Sequence, residues 1–209
     1  MALAESGIRA LPQLRSHTLF QDLLAGDSVE RILQLWTKRA RWLALLDRLP
    51  RTFCHHDAFR RNLIARRGRD GQEQTVAIDW DMAGIGAVGA EINPLFAATL
   101  RFVSVDTTRL AELDGIIFAG YLDGLRDAGW QGDPRLVRFG FAATAVLHHV
   151  SHLAIALPRV AERAAIAAQR GEEPPRPLGP GAAQMVAVQR YLLDLGDEAS
   201  RLLDDLATG

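Results

Sequence analysis

Apolar residues recur at the spacing of amphipathic helices along most of this 209-residue chain, and strand-like runs are confined to one short internal stretch. This periodicity gives each helix an apolar stripe that has to be buried against a neighbouring element. Helices are predicted at residues 27–50, 93–102, 108–128, 133–157 and 182–206, with a short further helix ending near residue 168. The pattern therefore indicates a mainly α-helical domain.

Several helix ends carry recognisable signals. Asp27 followed by Glu30 has the spacing of a capping box. The pairs Asn93-Pro94 and Asp133-Pro134 each combine an N-cap residue with a proline suited to the first helical position. Pro158 is expected to end the fourth helix, because proline lacks the N–H that continues the hydrogen-bond ladder.

The strand-like region lies between the first two of these helices. Three short runs rich in apolar and β-branched residues occupy residues 51–54, 63–66 and 75–78, and a glycine-containing turn at residues 68–72 separates the last two. The proline- and glycine-rich stretch at residues 171–181 is predicted to be a loop. The predicted fold class is mainly α with one small β-hairpin.

Charge and cysteine content exclude several functional classes. Lys and Arg number 24 against 25 Asp and Glu, so a net charge of −1 provides no attraction to nucleic acid or to an anionic membrane. The single cysteine, Cys54, excludes an internal disulfide framework and favours a reducing, cytoplasmic setting. The N-terminus is too polar for a signal peptide, and no window of about 18–20 residues lacks charge, so no membrane span is expected.

Residues 55–62 carry the strongest chemical signal. They fit the pattern H-x-D-x-x-x-x-N, and Asp79 follows Asn62 at the end of a predicted strand. Phosphoryl transfer to a hydroxyl needs one carboxylate at the hydroxyl proton and oxygen ligands for the magnesium ions that neutralise the phosphates. A loop carrying Asp57 and Asn62 next to a strand carrying Asp79 can supply both.

This segment resembles the catalytic loop and metal-binding strand of the aminoglycoside phosphotransferase / choline kinase-like family, whose larger lobe has a protein-kinase-like fold. The resemblance implies that Asp57 is the catalytic aspartate and that His55 braces the catalytic loop. It also implies that Asn62 and Asp79 bind Mg²⁺ and, through it, the nucleotide.

A further element of the family pattern follows Asp79. The family usually has a glycine followed five residues later by an aspartate that supports the catalytic loop from beneath. Gly86 and Glu91 stand at this spacing, with glutamate in the place of aspartate. The resemblance is strongest over residues 53–98 and weaker through the helices to about residue 157.

The resemblance also implies a part that is not evident in this chain. Such enzymes carry a small β-rich lobe with a glycine-rich loop and a phosphate-pairing lysine. The 54 residues before His55 have helical rather than strand patterning, and the single lysine, Lys38, lies on a helix face. We therefore expect the C-lobe of a protein-kinase-like (α+β) fold without its N-lobe. Residues 1–26 would form a hinge-like segment and a first short helix, and residues 27–209 the helical lobe, with a catalytic loop at 53–64 and a metal-binding strand at 75–80.

The expected function is transfer of the γ-phosphoryl group of ATP or GTP to a small-molecule hydroxyl, with Mg²⁺ as cofactor and with the missing N-lobe needed for a full grip on the nucleotide. An inactive C-lobe that serves as a binding or scaffold module is the alternative, and a purely structural helical bundle is a third possibility. Neither a nucleic acid nor a membrane is an expected partner.

Other residues allow two interpretations each. Arg60 and Arg61 can neutralise phosphate charge or pair on the surface with an acid such as Asp81. The histidines at 148, 149 and 152 can ligate a metal, line the acceptor cleft or be ordinary helix residues. The acids Asp106, Glu112, Asp114, Asp123 and Asp127 can form an acidic cleft for a cationic acceptor or the solvated face of a helix.

Two residues beside the motif have a simpler expectation. Trp80 directly follows Asp79 and is expected to pack beneath the metal-binding strand. Cys54 precedes His55 at the end of an apolar run, where a cysteine is more often a small core residue than a nucleophile.

Overall fold

The computed structural model describes residues 2–173 and 181–208. Its helices are α1 (Ala2–Leu14), α2 (Ser28–Leu46), α3 (Thr99–Phe102), α4 (Leu110–Asp127), α5 (Pro134–Arg170) and α6 (Ala182–Thr208). Its strands are β1 (Arg51–Cys54), β2 (Leu63–Arg67), β3 (Glu73–Ala77) and β4 (Gly84–Ala87). Short 3₁₀ turns occur at Arg60–Asn62, Trp80–Met82 and Thr107–Arg109, and a π-helical turn at Pro94–Ala98. The chain is mostly helical with a small β part, consistent with the α+β class. Most of the loop predicted at residues 171–181 lies outside the described residues.

Local signals predicted α4, α6 and the start of α5 correctly. The Asp133 carboxylate accepts a hydrogen bond from the backbone N–H of Arg135 (2.8 Å), and Pro134 occupies the first turn. This is the N-cap that the pair of residues predicted, because the side chain satisfies one of the otherwise unpaired amides of the first turn.

One predicted helix end and two predicted side-chain caps are wrong. Helix α5 continues through Pro158 to Arg170 and ends at Gly171, which has a left-handed conformation. The prediction failed because the buried residues before the proline pack against neighbouring helices and hold the chain in helical form on both sides of it. Helix α2 begins directly after Asp27, as predicted, but Asp27 makes no side-chain cap bond, and Glu30 pairs with Arg15 (2.8 Å) instead of completing a capping box.

Asn93 is the third correction. It has helical dihedral angles and makes no cap bond, so it lies inside the helical segment rather than at its N-cap. The helical turn starts earlier, where the N–H groups of Ile92 and Asn93 donate to the carbonyls of Gly89 and Ala90.

The β part is larger than the single predicted hairpin. Strands β2 and β3 form that hairpin, with Leu63 opposite Ala77. A second two-stranded sheet pairs β1 with β4, placing Phe53 opposite Ile85. Strand β4 was missed because its glycine-rich sequence has low strand propensity and its partner lies about thirty residues earlier in the chain.

Helix α5 is the centre of the core, and α1, α2 and α6 pack on it. The largest fully buried side chains come from all four helices and include Leu11, Trp42, Phe141, Leu153 and Leu192. Among the described helices, α5 alone is long and apolar enough by length and composition to cross a membrane. Most of its apolar window (61%) is buried within the fold, as is typical of a core helix.

Glycines allow two segments to approach the backbone of α5 directly. A Cβ at Gly7 of α1 would lie 1.6 Å from the carbonyl oxygen of Ala154, and a Cβ at Gly89 would lie 2.0 Å from that of Val137. Gly89 also has a φ of +83°, which glycine adopts most readily. The first contact docks α1, the helix within residues 1–26, onto the core. The second holds the turn after β4, which carries Glu91, against α5.

Candidate active site

The segment from His55 to Asn62 connects the two sheets. It begins where β1 ends at Cys54 and leads through a 3₁₀ turn into β2. Since β1 pairs with β4 and β2 pairs with β3, both ends of this loop are held by strand pairing. A short loop between two anchored strands has few conformations, so its side chains occupy defined positions.

His55 joins this loop to the segment that follows β3. Its ring is buried, and Nε2 donates to the backbone carbonyl of Ile78 (2.8 Å) while Nδ1 accepts from the N–H of Asp57 (3.3 Å). These two partners require the neutral ring with its proton on Nε2. The ring of Trp80 packs against it with centroids 4.5 Å apart. These contacts connect the loop backbone to the segment after β3.

Asp57 and Asn62 are in direct contact. The Asn62 amide nitrogen donates to Asp57 Oδ2 (2.8 Å) and to the Asp57 carbonyl (2.9 Å). Asn62 is buried and Asp57 is partly exposed. Within the described residues, the Oδ1 atoms of both side chains accept no hydrogen bond. One oxygen of each side chain is thus available to a ligand.

Asp79 lies beside this pair in an unusual backbone conformation. The residue before it, Ile78, is fixed at both polar atoms, because its N–H donates to the Asn62 carbonyl (3.0 Å) and its carbonyl accepts from His55. Asp79 has φ 64° and ψ 63°, a left-handed conformation that costs a non-glycine residue of order 1 kcal/mol. Its exposed carboxylate accepts no hydrogen bond from the described residues. Such strain at a free carboxylate is typical of a functional position.

The donor set suits a hard divalent cation. Carboxylate and amide oxygens are the protein ligands that Mg²⁺ prefers, and it usually takes one or two of them together with phosphate oxygens and water. The free oxygens of Asn62 and Asp79 provide such a set.

Glu91 supports the loop from below. Its Oε2 accepts a hydrogen bond from the backbone N–H of His56 (3.0 Å). The longer glutamate side chain therefore reaches the loop from the position where the family usually has aspartate. Gly86 lies beneath the same loop, since a Cβ there would stand 2.8 Å from both Cys54 Sγ and His56 Cε1.

The two loop arginines are exposed and make no salt bridge with the described residues, Asp81 included. The guanidinium of Arg61 lies 4.7 Å above the ring of Phe59. Arg60 makes no such ring contact with the described chain, so its charge is available to a ligand. The surface pairing with Asp81 is not observed.

A cleft of about 300 Å³ opens beside the loop next to Asp57. Its wall comes from the loop, the turn after β4 and the helix α4, and it is lined by Ala58, Glu91, Ile92, Leu95, Ile116, Ile117, Gly120 and Tyr121. The lining is mainly apolar and contains one carboxylate, Glu91. Sequence analysis did not identify Ile117 and Tyr121, although their i,i+4 spacing on α4 already places them on one helix face.

Most of the acidic residues that the sequence suggested for an acidic cleft form hydrogen bonds or ion pairs within the protein. Asp106 accepts from Thr108, Glu112 pairs with Arg109, and Asp123 pairs with Arg126. Asp114 is buried in an ion pair with Arg138. These contacts leave the cleft without the acidic lining that a polycationic acceptor would need.

The histidines of α5 do not line this cleft. His149 is fully buried, and burial, followed by the nearby charge of Arg101, lowers its pKa to about 3. The same causes lower the pKa of His152 to about 4. Within the described chain, no third residue groups with His148 and His152 as a metal ligand. Both special roles considered for them are therefore unsupported.

The residues flanking the motif are partly as expected. Cys54 is buried at the end of β1, in agreement with a small core residue. Trp80 contacts the His55 ring and donates from Nε1 to the Ala77 carbonyl (3.0 Å), but about half of it (49%) stays exposed and it stacks on Phe53. It covers the segment after β3 from the solvent side rather than from the core.

The model of one protein family, described as the phosphotransferase enzyme family, matches residues 2–135. The match covers the loop, all four strands and α4, and it also includes the helices α1 and α2. No curated protein and no solved structure matches the chain significantly.

Proposed function

The chain belongs to the phosphotransferase enzyme family, and we propose that it transfers the γ-phosphoryl group of ATP or GTP to a hydroxyl of a small molecule. The proposal rests on the arrangement of three residues. Asp57 and Asn62 are in direct contact, and Asp79 follows Ile78, whose backbone N–H donates to the Asn62 carbonyl. The setting that we propose is cytoplasmic, with no nucleic acid or membrane as partner.

Asp57 is the proposed catalytic residue. The hydrogen bond from Asn62 to Oδ2 fixes the orientation of its carboxylate, and the free Oδ1 can accept the proton of an acceptor hydroxyl. His55 holds the loop backbone at Asp57 and so keeps the carboxylate in place. Arg60, exposed and unpaired among the described residues, is suited to contact a phosphate oxygen.

Asn62 and Asp79 are the proposed ligands of Mg²⁺. Mg²⁺ bound there would neutralise negative charge on the nucleotide phosphates. The Asp79 carboxylate is exposed and accepts no hydrogen bond from the described residues, so it is free for this role.

We propose that the acceptor enters through the cleft between the loop and α4. Its apolar lining and single carboxylate suit a small hydroxyl compound with little positive charge. We also propose that the chain corresponds to a kinase-like C-lobe, so that a full grip on the nucleotide needs a small lobe of the kind described for the family.

Calorimetric titration of Mg-ATP into the protein tests this function. Asp79→Asn should weaken binding at least about tenfold, or about 1.4 kcal/mol, because it replaces a negatively charged metal ligand with a neutral amide. Asp81→Asn is the matched control: Asp81 is an exposed acid two residues away on the same turn, and its removal should leave the affinity unchanged. Asp57→Asn should retain nucleotide binding but abolish phosphate transfer to an accepted hydroxyl compound.

Equal loss of affinity in Asp79→Asn and Asp81→Asn would contradict the assignment of Asp79. Binding of Mg-ATP without transfer to any hydroxyl acceptor, with or without a supplied N-lobe, would instead favour the scaffold module.

A further inference from the structure

Three side chains with metal-binding atoms meet beneath the catalytic loop. They are Cys54 at the end of β1, His56 in the loop and Glu91 after β4, and one ligand atom of each lies within 4.8 Å of the other two. Within the described chain no other group of three such residues is found. None of the three belongs to the proposed magnesium site.

We propose that Cys54, His56 and Glu91 bind a transition-metal ion of the zinc type. Thiolate, imidazole and carboxylate are all zinc ligands, whereas Mg²⁺ selects oxygen ligands, so this site would discriminate against the ion of the phosphate site. Three protein ligands leave the fourth tetrahedral position to water.

The distances allow such a site with a small closure. Zinc bonds of 2.0–2.3 Å at tetrahedral angles place ligand atoms about 3.5 Å apart. The observed separations of up to 4.8 Å therefore have to shorten by no more than about 1.3 Å. His56 is exposed and can supply this movement by rotating its ring, and its exposure also gives an ion access from solvent.

Gly86 lets two of the ligands lie close to the backbone of β4. A Cβ at this position would stand 2.8 Å from Cys54 Sγ and 2.8 Å from His56 Cε1, nearer than a Cβ normally approaches another atom. Any larger residue would therefore push these two side chains aside. Glycine at this position allows Cys54 and His56 to approach each other over β4.

Glu91 lies between the loop and the Cys54 thiol. Oε2 accepts the bond from the His56 N–H, and Oε1 is buried and accepts no hydrogen bond from a nitrogen or oxygen donor of the described residues. The Cys54 thiol is close enough to donate to this carboxylate. A metal ion that replaces the thiol proton would be bound by both side chains without disturbing the brace on the loop.

His56 has a conformation that histidine adopts at a cost. Its φ is 62°, in the left-handed region, where glycine would be unstrained. The backbone conformation brings the ring close to Cys54, since both side chains lie 2.8 Å from the position that a Cβ on Gly86 would take.

The proposal goes beyond the proposed function, because an ion at these residues would tie β1, the loop and the turn after β4 together. Its test measures metal binding and needs no phosphate transfer, so either proposal can fail without the other. The probes are Zn²⁺ and Co²⁺ added singly to the chelator-treated protein in the presence of excess Mg²⁺.

We expect one equivalent of either ion to bind, a thiolate-to-cobalt charge-transfer band, and a rise in melting temperature with Zn²⁺. Cys54→Ala and His56→Gly should each weaken Zn²⁺ binding by at least about 100-fold, since loss of even an outer partner of a metal ligand costs 10–100-fold. The double variant His148→Asn, His152→Asn is the control, because it removes the other closely spaced histidine pair and should bind Zn²⁺ as the unmodified protein does.

Absence of the charge-transfer band, or undiminished Zn²⁺ binding by Cys54→Ala, would overturn the proposal. His56→Gly decides the matter if Cys54→Ala does not fold, because glycine relieves the strained φ at an exposed position. That variant should be at least as stable as the parent without metal and should lose the stabilisation by Zn²⁺. Retained stabilisation in His56→Gly contradicts the site.

Discussion

The buried carboxylate of Asp114 links the helix that lines the cleft to the centre of the core. It accepts hydrogen bonds from Nη1 (2.5 Å) and Nη2 (2.9 Å) of Arg138 on α5, and from the hydroxyl of Tyr191 on α6 (2.6 Å). Arg138 has a second partner, Glu198, at 2.7 Å and 2.8 Å. The two acids differ in burial, since the exposed fraction of the side chain is 3% for Asp114 and 32% for Glu198.

This difference in burial determines how much each of two substitutions should lower the free energy of unfolding. Asp114→Ala removes the acceptor of one Arg138 nitrogen, Nη1, and of the Tyr191 hydroxyl, and each buried donor left unpaired costs about 1–3 kcal/mol. We expect a loss of about 3 kcal/mol in the free energy of unfolding, at the lower end of the range for a broken buried pair, because Arg138 keeps Glu198. Glu198→Ala leaves Arg138 with both bonds to Asp114 but removes the acceptor of Nε. Because Glu198 is partly exposed, water can replace its oxygen at Nε, and the substitution should cost about 1 kcal/mol.

Urea unfolding at constant pH measures both values. Asp123→Ala is the surface control: Asp123 pairs with Arg126 three residues later on α4, its side chain is 68% exposed, and its loss should change the free energy of unfolding by less than about 0.5 kcal/mol. If Glu198→Ala destabilises the protein as much as Asp114→Ala does, burial does not decide the strength of this network and the reasoning is wrong.

Three further predictions concern the stability and reactivity of the metal-free protein. Gly7→Ala should lower the free energy of unfolding in urea by about 2 kcal/mol, because the new Cβ meets the Ala154 carbonyl. Gly115→Ala on the exposed face of α4 should raise it by up to about 1 kcal/mol, because the new Cβ meets no other atom and alanine favours the helix. Burial lowers the pKa of His149 from 6.5 to about 3, so between these values the unfolded state binds a proton that the folded state does not. The free energy of unfolding should therefore fall as the pH falls below 6.5. His149→Gln should reduce this dependence on pH, and an unchanged dependence would contradict the prediction. Burial raises the pKa of the Cys54 thiol to about 11, so alkylation at pH 8 should be slow and should accelerate up to about pH 11; rapid reaction at pH 7 would contradict this.

The elements that sequence patterns predicted well depend on near neighbours. The Asp133 cap, the body of α4 and the β2–β3 hairpin each rest on contacts within a few residues or across one short turn. Two of the failures involve distant partners: α5 continues past Pro158 because of its packing against other helices, and β4 forms because β1 is available to pair with it.

The candidate site divides in the same way. The contact between Asp57 and Asn62 spans one short loop, so the spacing of the motif already implied it. The left-handed backbone of Asp79 and the reach of Glu91 to His56 depend on how β3 and β4 are placed against the loop, which no local pattern encodes.

The amino-acid sequence by itself determined the helical character of the chain, the residue types and spacing of the loop, and the family to which it belongs. Helix periodicity and motif spacing act over one turn or one loop, where geometry follows directly from residue order. Only the tertiary structure decided that Cys54, His56 and Glu91 meet, and that an apolar cleft lies beside Asp57. These arrangements arise because the pairing of β1 with β4, and the packing of α4 and α5 against them, join segments separated by dozens of residues.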